Sequence, residues 1–224
     1  MDVKRHIQTF DSIALIYGWF FPFQVRNYRR TIAKNLSLFR DCACRVLDIG
    51  CGTGALAYAL SESGCQVTGL DGSDRMIAVA RRLNRGNTTK FYIGNALDLE
   101  RTDSGETSFV DPEGKLPFFS QQYDIVVASL VLHGLQKDQR QKLYTAMKRL
   151  ALKRVIIMDY SQRRGILTSL VEWLEQGDYF NFIKSVDEEM RQNFPNIQVI
   201  HTGKRTDWYI FNCDQPELAR MLNK

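Results

Sequence analysis

The sequence contains the stretch Val46-Leu47-Asp48-Ile49-Gly50-Cys51-Gly52-Thr53-Gly54. Its apolar run, Arg45–Ile49, predicts a buried strand, and Ala55–Ser63 after the glycines predicts a helix. Three alternate glycines let the backbone turn sharply and let a ligand approach bare main chain. The stretch therefore predicts a ligand site between a strand and the helix that follows it.

Two carboxylates, Asp71 and Asp48, narrow the range of ligands that the site could bind. Asp71 ends the next predicted strand, about 20 residues past the loop, where a carboxylate suits the two hydroxyls of a ribose. Asp48 stands just before the first glycine, where its negative charge would repel a pyrophosphate but suits an ammonium or sulfonium cation. The Gly-x-Gly-x-Gly spacing also differs from the Gly-x-Gly-x-x-Gly/Ala fingerprint of dinucleotide sites. These features indicate a nucleoside ligand with a cationic part.

Strands alternate with helices along the middle of the chain. Val/Ile runs without alternation are typical of parallel strands buried on both faces, and alternation with helices predicts right-handed crossovers. The last two strands flank Gly203 and predict a hairpin. We therefore expect an α/β fold: a doubly wound, seven-stranded, mostly parallel sheet with a C-terminal antiparallel hairpin. The predicted elements beyond the first strand and helix are strands at Gln66–Leu70, Lys90–Ile93, Asp124–Ser129, Arg154–Met158, Asn196–His201 and Thr206–Cys213, and helices at Ser73–Leu83 and Lys137–Ala151.

Other segments surround this core. The apolar stretch Ile13–Phe23 is about half the length that spans a bilayer and is broken by Gly18 and Pro22, so it predicts a lid, a core helix or an interfacial anchor. Val25–Phe39 predicts an amphipathic helix, with Arg26, Arg29 and Arg30 on a side away from its apolar face. We expect one domain over 1–224. Its parts are an N-terminal helical lid (1–40), a core (41–160) with an inserted polar loop (99–116), an aromatic helical lid (161–195) and the terminal strand pair (196–213).

Composition sets broader limits. The chain has 224 residues, of which 44% are hydrophobic and 25% charged, which excludes a mostly disordered, collagen-like or coiled-coil protein. Its net charge of +5 permits an anionic partner without requiring one. The five cysteines show neither a pairing pattern nor zinc-site spacing, and Met1–Phe10 is polar and charged. We therefore expect reduced thiols, no metal and a cytoplasmic location.

Several motifs occur together in order. The glycine stretch is followed by Val67-Thr68-Gly69-Leu70-Asp71, by Ser73 with Met76-Ile77, and by Gly94-Asn95-Ala96. Then come Leu116-Pro117-Phe118, Tyr123-Asp124-Ile125-Val126 and Ser129-Leu130-Val131-Leu132-His133. In order and spacing, the chain from about Phe10 to Asp159 closely resembles the class I S-adenosylmethionine (SAM)-dependent methyltransferases. That resemblance implies a Rossmann-like methyltransferase fold and SAM as cofactor.

The resemblance also implies roles for individual residues. The glycine loop would shape the pocket for the methionine end of SAM, Asp71 would bind the ribose, and residues after the second and third strands would surround the adenine. Asn95 stands where the family often has Asp, and its side-chain oxygen can still accept a bond from the adenine amine. From the N-terminal helix, Tyr17 or Arg29 would reach the cofactor carboxylate. The full set of implied cofactor residues is Tyr17, Arg29, Asp48, Gly50, Cys51, Gly52, Gly54, Asp71, Gly72, Met76, Asn95, Ala96, Leu97, Ser129 and Leu130.

Candidate catalytic and substrate residues lie outside these motifs. His133 follows the fourth strand, close to the expected methyl acceptor, and a histidine suits general-base catalysis. It could equally pack locally at a helix start. Tyr160 is a candidate acid, base or phenolic hydrogen-bond partner. An aromatic set would roof an apolar substrate pocket, or would simply belong to the core: Trp19, Phe20, Tyr179 and Phe182, with Phe21, Phe23 and Phe180 beside them.

The acceptor is the open question at this level. Phe10-Asp11-Ser12-Ile13-Ala14 with Tyr17, and the segment ending in His133, resemble the quinone, lipid and other small-molecule branch of the family. We therefore expect in-line methyl transfer to a small apolar or amphipathic acceptor. One alternative is RNA or protein methylation beside a basic rim of Arg26, Arg29, Arg30, Arg163 and Arg164. A further alternative is a SAM-binding partner protein without its own chemistry.

Overall fold

A sheet of seven described strands runs through the protein. The computed structural model describes residues 3–39, 44–100, 123–161, 179–202 and 206–213. The strand order is β3-β2-β1-β4-β5-β7-β6, in which β7 runs antiparallel to both β5 and β6 and the other pairs are parallel. This confirms the predicted doubly wound sheet with its C-terminal hairpin. The strands are β1 Arg45–Ile49, β2 Gln66–Asp71, β3 Lys90–Ile93, β4 Tyr123–Ser129, β5 Ala151–Tyr160, β6 Gln198–His201 and β7 Thr206–Asn212.

The strand bounds differ from the prediction at the C-terminal side of the sheet. β5 begins at Ala151, directly after the preceding helix, and ends at Tyr160, because β7 pairs with it from Arg154 to Tyr160. The predicted start of β6 at Asn196 is two residues too early, since Asn196 has a left-handed φ of 59° that an extended strand excludes. The predicted turn at Gly203 lies outside the described residues.

Five helices are described around the sheet. They are α1 Val3–Lys34, α2 Ala55–Glu62, α3 Asp74–Leu83, α4 Lys137–Leu150 and α5 Tyr179–Asn193. Short 3-10 helices follow at Leu36–Leu38, Ala96–Glu100 and Leu132–Gly134. None of these described helices combines the length and apolar character needed to cross a membrane. The first two residues of the predicted loop 99–116 belong to the 3-10 helix Ala96–Glu100. The rest of that loop and most of the predicted aromatic lid lie outside the described residues.

The predicted break at Gly18 and Pro22 is wrong, because α1 continues through both residues. A proline inside a helix removes one backbone hydrogen bond. Here the inner face of the helix offsets that loss, since Phe21 and Val25 pack against Ala55 of α2. The predicted helix Val25–Phe39 is therefore the second half of α1, which ends at Lys34 before the 3-10 turn.

Each face of the sheet is covered by its own apolar layer. Leu47 and Ile49 of β1 pack into the cluster that contains α4 and α5, whereas Val46 packs into the cluster with α1, α2 and α3. Burial on both faces explains the unbroken Val/Ile runs. The strand order reverses between β1 and β4, so a crevice opens at the carboxyl ends of these two strands.

Candidate active site

A cavity of about 200 Å³ lies at the carboxyl ends of β1, β2 and β4. The inner face of α1 covers it, and the loops after β3 and β4 and the last residue of β5 complete its wall. Most of the implied cofactor residues meet there. They are Tyr17, Asp48, Gly50, Cys51, Gly52, Asp71, Gly72, Met76, Asn95, Ala96, Ser129 and Leu130, and both candidate catalytic residues, His133 and Tyr160, line the same cavity.

The glycine loop turns sharply because its backbone enters the left-handed region. Gly50 has a φ of 67°, and its N–H and that of Cys51 both donate to the carbonyl oxygen of Leu70. A Cβ at Gly50 would collide with the side chain of Val131. A Cβ at Gly52 would meet nothing within 4 Å, so the loop offers open main chain to the cavity.

Asp71 links this loop to the end of β2. Its Oδ2 accepts a hydrogen bond from the N–H of Gly52 at 2.8 Å, and its Oδ1 accepts one from the N–H of Ser73 at 2.9 Å. An ionised carboxylate can accept about four hydrogen bonds, so these two do not exhaust its capacity. Asp71 can therefore hold the loop and still accept bonds from two ligand hydroxyls.

Asp48 is a buried carboxylate whose side chain is 1% exposed. Among the described residues, neither of its oxygens has a hydrogen-bond partner. Burial and then the charge of Asp71 raise the pKa of Asp48 to about 8, and the nearby Ala57 N–H opposes this without reaching hydrogen-bond geometry. The Oε1 atom of Gln24, on the same cavity, is buried without a partner within the described part of the chain.

The acceptor oxygens of Asp48 and Gln24 that lack partners among the described residues indicate what kind of ligand the site fits. A buried carboxylate that lacks a partner costs free energy, which a bound cation recovers. SAM carries an ammonium and a sulfonium, whereas a dinucleotide would bring phosphates to the same loop. The acceptor oxygens of Asp48 and Gln24 therefore fit SAM.

Tyr28 connects α1 to the sheet. Its phenolic oxygen and the hydroxyl of Ser129 share a hydrogen bond of 2.8 Å, and burial raises the pKa of Tyr28 to about 12. Neither Gln24 nor Tyr28 was among the residues expected from the sequence. Their spacing from Tyr17, by seven and eleven residues, places all three on one helix face, and this periodicity is the signal that could have found them.

His133 and Tyr160 both line the cavity, and a third, fully buried residue, Asp159, contacts His133. The Nδ1 atom of His133 lies 2.8 Å from Oδ1 of Asp159, and the His133 and Tyr160 rings meet edge to face at 4.8 Å. The buried Asp159 carboxylate also accepts the backbone N–H groups of Leu132 and Tyr160. A carboxylate at Nδ1 keeps the proton there and makes Nε2 the basic nitrogen of a neutral imidazole.

The sequence assigned no role to Asp159, which is the second-last residue of β5. Because β4 and β5 are neighbours in the sheet, the ends of both strands reach the same crevice. The strand order, rather than any local motif, identifies Asp159.

A second buried network supports the segment that carries His133. Arg140 of α4 donates to the carbonyl oxygen of Leu135 at 2.6 Å and from Nε to Oε1 of Glu189 at 2.7 Å. The hydroxyl of Tyr144 donates to the same Oε1 at 2.7 Å, and burial raises the pKa of this phenol. The network joins α4 and α5 to the loop after β4.

Several expected residues lie elsewhere. Arg29 pairs with Glu62 on the surface, with Nη2 2.5 Å from Oε1, and does not line the cavity. Trp19 and Phe20 are 90% and 57% exposed, because the register of α1 turns Phe21 inward instead. Phe182 is fully buried under the guanidinium of Arg140.

Two loop residues are also displaced from the cavity. Gly54 packs against Asn84 and Phe91, and Leu97 packs against the core. Asn95 lines the cavity, but its Oδ1 accepts the N–H of Leu97 at 3.1 Å, which partly uses the oxygen expected for adenine. The side chain of Tyr179 lies outside the described part of the structure, as do Arg163 and Arg164.

Comparisons with known proteins agree with this geometry. A family model described as a methyltransferase domain matches residues 47–153. A protein of Geobacillus sp. (strain WCH70) with a provisional methyltransferase name is 43% identical over 72 residues, which are 31% of this chain and 29% of that protein. This chain therefore matches less than a third of that relative's length.

Other matches extend over nearly the whole chain. The demethylmenaquinone methyltransferase of Tropheryma whipplei (strain Twist) is 24% identical over 222 residues, covering 99% of this chain and 80% of that protein. The structure of magnesium protoporphyrin IX methyltransferase from Synechocystis PCC 6803, with bound S-adenosylhomocysteine (SAH), superposes with a TM-score of 0.57 at 17% identity. It covers 85% of this chain and 83% of that one, which shows a shared fold.

Proposed function

We propose that this chain is a class I SAM-dependent methyltransferase and that it transfers the SAM methyl group to a protonated atom of a small apolar or amphipathic molecule. One observation carries this proposal: His133, which is hydrogen-bonded to the buried Asp159, lines the same covered cavity as Asp48 and Asp71. A base at this position serves an acceptor that must lose a proton, such as a hydroxyl.

The size and cover of the site support a small acceptor. The inner face of α1 lies over the cavity, and the Tyr28–Ser129 hydrogen bond fixes that helix to the end of β4. The long match to a demethylmenaquinone methyltransferase also supports a quinone-like acceptor class.

Each residue of the site has a defined part in the proposed reaction. Bound SAM supplies an activated methyl group for in-line displacement by the acceptor. Asp48 holds the cationic end of the cofactor and Asp71 its ribose, which fixes the direction in which the methyl group points. His133 accepts the acceptor's proton at Nε2, and Asp159 keeps the imidazole in the required tautomer. α1 excludes water from the reacting atoms.

The test follows the methyl group. The protein is incubated with SAM labelled in the methyl group and with a cell extract, which is then separated into small-molecule, RNA and protein fractions. We expect the label in the organic-soluble small-molecule fraction, and its loss with the Asp71→Ala variant. Label in RNA or protein that also disappears with Asp71→Ala would replace the small-molecule acceptor, and no transfer to any fraction would favour a SAM-binding partner protein.

A further inference from the structure

The outer face of α1 carries large aromatic side chains in solvent. Trp19 is 90% exposed and Phe23 is 63% exposed, whereas Phe21 between them is buried. Arg26 and Arg30 are exposed further along the same helix. Positions 19, 23, 26 and 30 fall within an arc of about 60° around a helix of 3.6 residues per turn. We call these four residues the aromatic–basic face of α1.

The charge on this face has one sign. The segment from Ser12 to Lys34 contains no aspartate or glutamate. Within the described part of the chain, Arg29 is the one exposed arginine of this segment that forms an ion pair, with Glu62 on the flank of the face. Trp and Phe favour the interface between lipid headgroups and acyl chains, and arginines favour anionic headgroups. Exposed Trp and Phe side chains together with Lys or Arg are features of helices that lie in a membrane surface.

The opposite face of the same helix lines the active-site cavity through Tyr17, Gln24 and Tyr28. A surface bound to the outer face would therefore lie one helix diameter from the cavity.

We propose that the aromatic–basic face of α1 docks on the surface of an anionic phospholipid membrane. Trp19 and Phe23 enter the interface, and Arg26 and Arg30 bind phosphate-bearing headgroups beside them. The helix lies along the surface with its inner face on the cavity. This inference does not depend on the acceptor or on catalysis, because docking can be measured without SAM.

Vesicle flotation tests the proposal with the full chain. Vesicles of phosphatidylcholine alone are compared with an equimolar mixture of phosphatidylcholine and phosphatidylglycerol. The variants are Trp19→Ala with Phe23→Ala, and Arg26→Gln with Arg30→Gln. The control is Lys184→Gln with Arg191→Gln on α5, which removes two exposed charges from the opposite face of the sheet. The unfolding temperature of each variant checks that it folds.

We expect the parent to float with the anionic vesicles and not with phosphatidylcholine alone. Each arginine near an anionic surface strengthens binding about fivefold, so the arginine variant should bind about thirtyfold more weakly. The aromatic variant should lose at least about tenfold, since each buried aromatic side chain contributes apolar area. The control should bind within about twofold of the parent, because its charges lie beyond a Debye length of the surface.

Other outcomes would overturn the proposal. They are a parent that does not float, variants that float as well as the parent, or a control that loses as much as the arginine variant. A parent that does not float but sediments as a dimer, which the aromatic variant separates, would instead assign the face to a second copy of the chain.

Discussion

The Nδ1 atom of His133 lies 2.8 Å from Oδ1 of Asp159, and this contact joins the segment after β4 to the end of β5. Both residues are buried, and the Tyr160 ring packs against the imidazole. The pair has the arrangement of a base and the group that orients it. His133 lines the same cavity as Ser129, the last residue of β4.

Removal of the base should lower turnover. For a hydroxyl acceptor, His133→Ala should reduce kcat by about 10²–10⁴-fold with SAM affinity unchanged, because the base acts only on the acceptor. The matched control is His201→Ala, which removes an exposed histidine that pairs with Asp207 outside the cavity. Steady-state kinetics and calorimetric SAM binding check the two effects. Full activity with an unchanged pH profile in His133→Ala would remove His133 from catalysis.

Asp159 should act as a positioning residue through His133. Asp159→Asn should lower kcat and change the dependence of kcat on pH, because an amide no longer fixes the proton on Nδ1. A purely structural role would lower the unfolding temperature but leave the shape of the pH profile intact. The pH profiles of parent and variant, measured at saturating SAM, separate these cases.

Asp71→Ala should weaken SAM binding by about 10–100-fold, because hydrogen bonds to a charged group contribute about 1.5–3 kcal/mol. Asp74→Asn, three residues further along and exposed, is the control for the loss of one negative charge and should bind as the parent does. Calorimetry provides both dissociation constants. Equal affinity in parent and Asp71→Ala would contradict the ribose assignment.

The pKa of Asp48 makes stability and SAM binding depend on pH in opposite directions. Its folded pKa of about 8 lies above the ordinary value of 3.8, so between these values the folded protein binds more protons than the unfolded chain. Without SAM, the contribution of Asp48 to the unfolding free energy therefore falls as pH rises from about 4 to about 8. SAM binds the ionised form, so its affinity should rise over the same range.

Asp48→Asn isolates this effect. The variant should be more stable than the parent at about pH 8 without SAM, by on the order of a few kcal/mol, because no charge is buried. It should bind SAM more weakly, with little dependence on pH. Denaturant unfolding and SAM titration across the pH range measure both. A parent and variant with parallel pH dependences would show that Asp48 does not titrate in this window.

The buried network behind the cavity should matter for stability. Glu189→Ala leaves Arg140 buried without its carboxylate partner and should cost about 3–5 kcal/mol of unfolding free energy. Glu62→Ala breaks the exposed pair with Arg29 and should cost less than about 1 kcal/mol. Chemical unfolding compares the two. Equal small losses would show that the Arg140–Glu189 pair adds no net stability.

The sequence predicts the sheet well because its signals are local. The glycine loop, Asp71 and the Val/Ile runs each occupy a few adjacent residues, so the positions of the strands and most of the cofactor cavity follow from them. The continuity of α1 through Pro22 depends instead on packing against α2, and that same register turns Trp19 and Phe20 outward. Residue type could not show that Phe21 is buried while its aromatic neighbours Trp19, Phe20 and Phe23 are exposed.

Contacts between segments that are distant in the chain could not be predicted from the sequence, because they depend on which strands and helices are neighbours in the fold. Asp159 meets His133 only because β5 lies beside β4, and Tyr28 meets Ser129 across 101 residues. Arg29 pairs with Glu62 because α1 lies on α2, which no motif records. The division of the chain into lids and core, and its cytoplasmic location, stay predictions.

A crystal structure with bound SAH tests the central claim most directly. The account predicts the amino group of SAH beside the Asp48 carboxylate, the ribose hydroxyls on Asp71, and the sulfur facing Ser129 and the His133–Asp159 pair. SAH bound in the reverse direction, with its ribose away from Asp71 or its sulfur remote from His133, would contradict it.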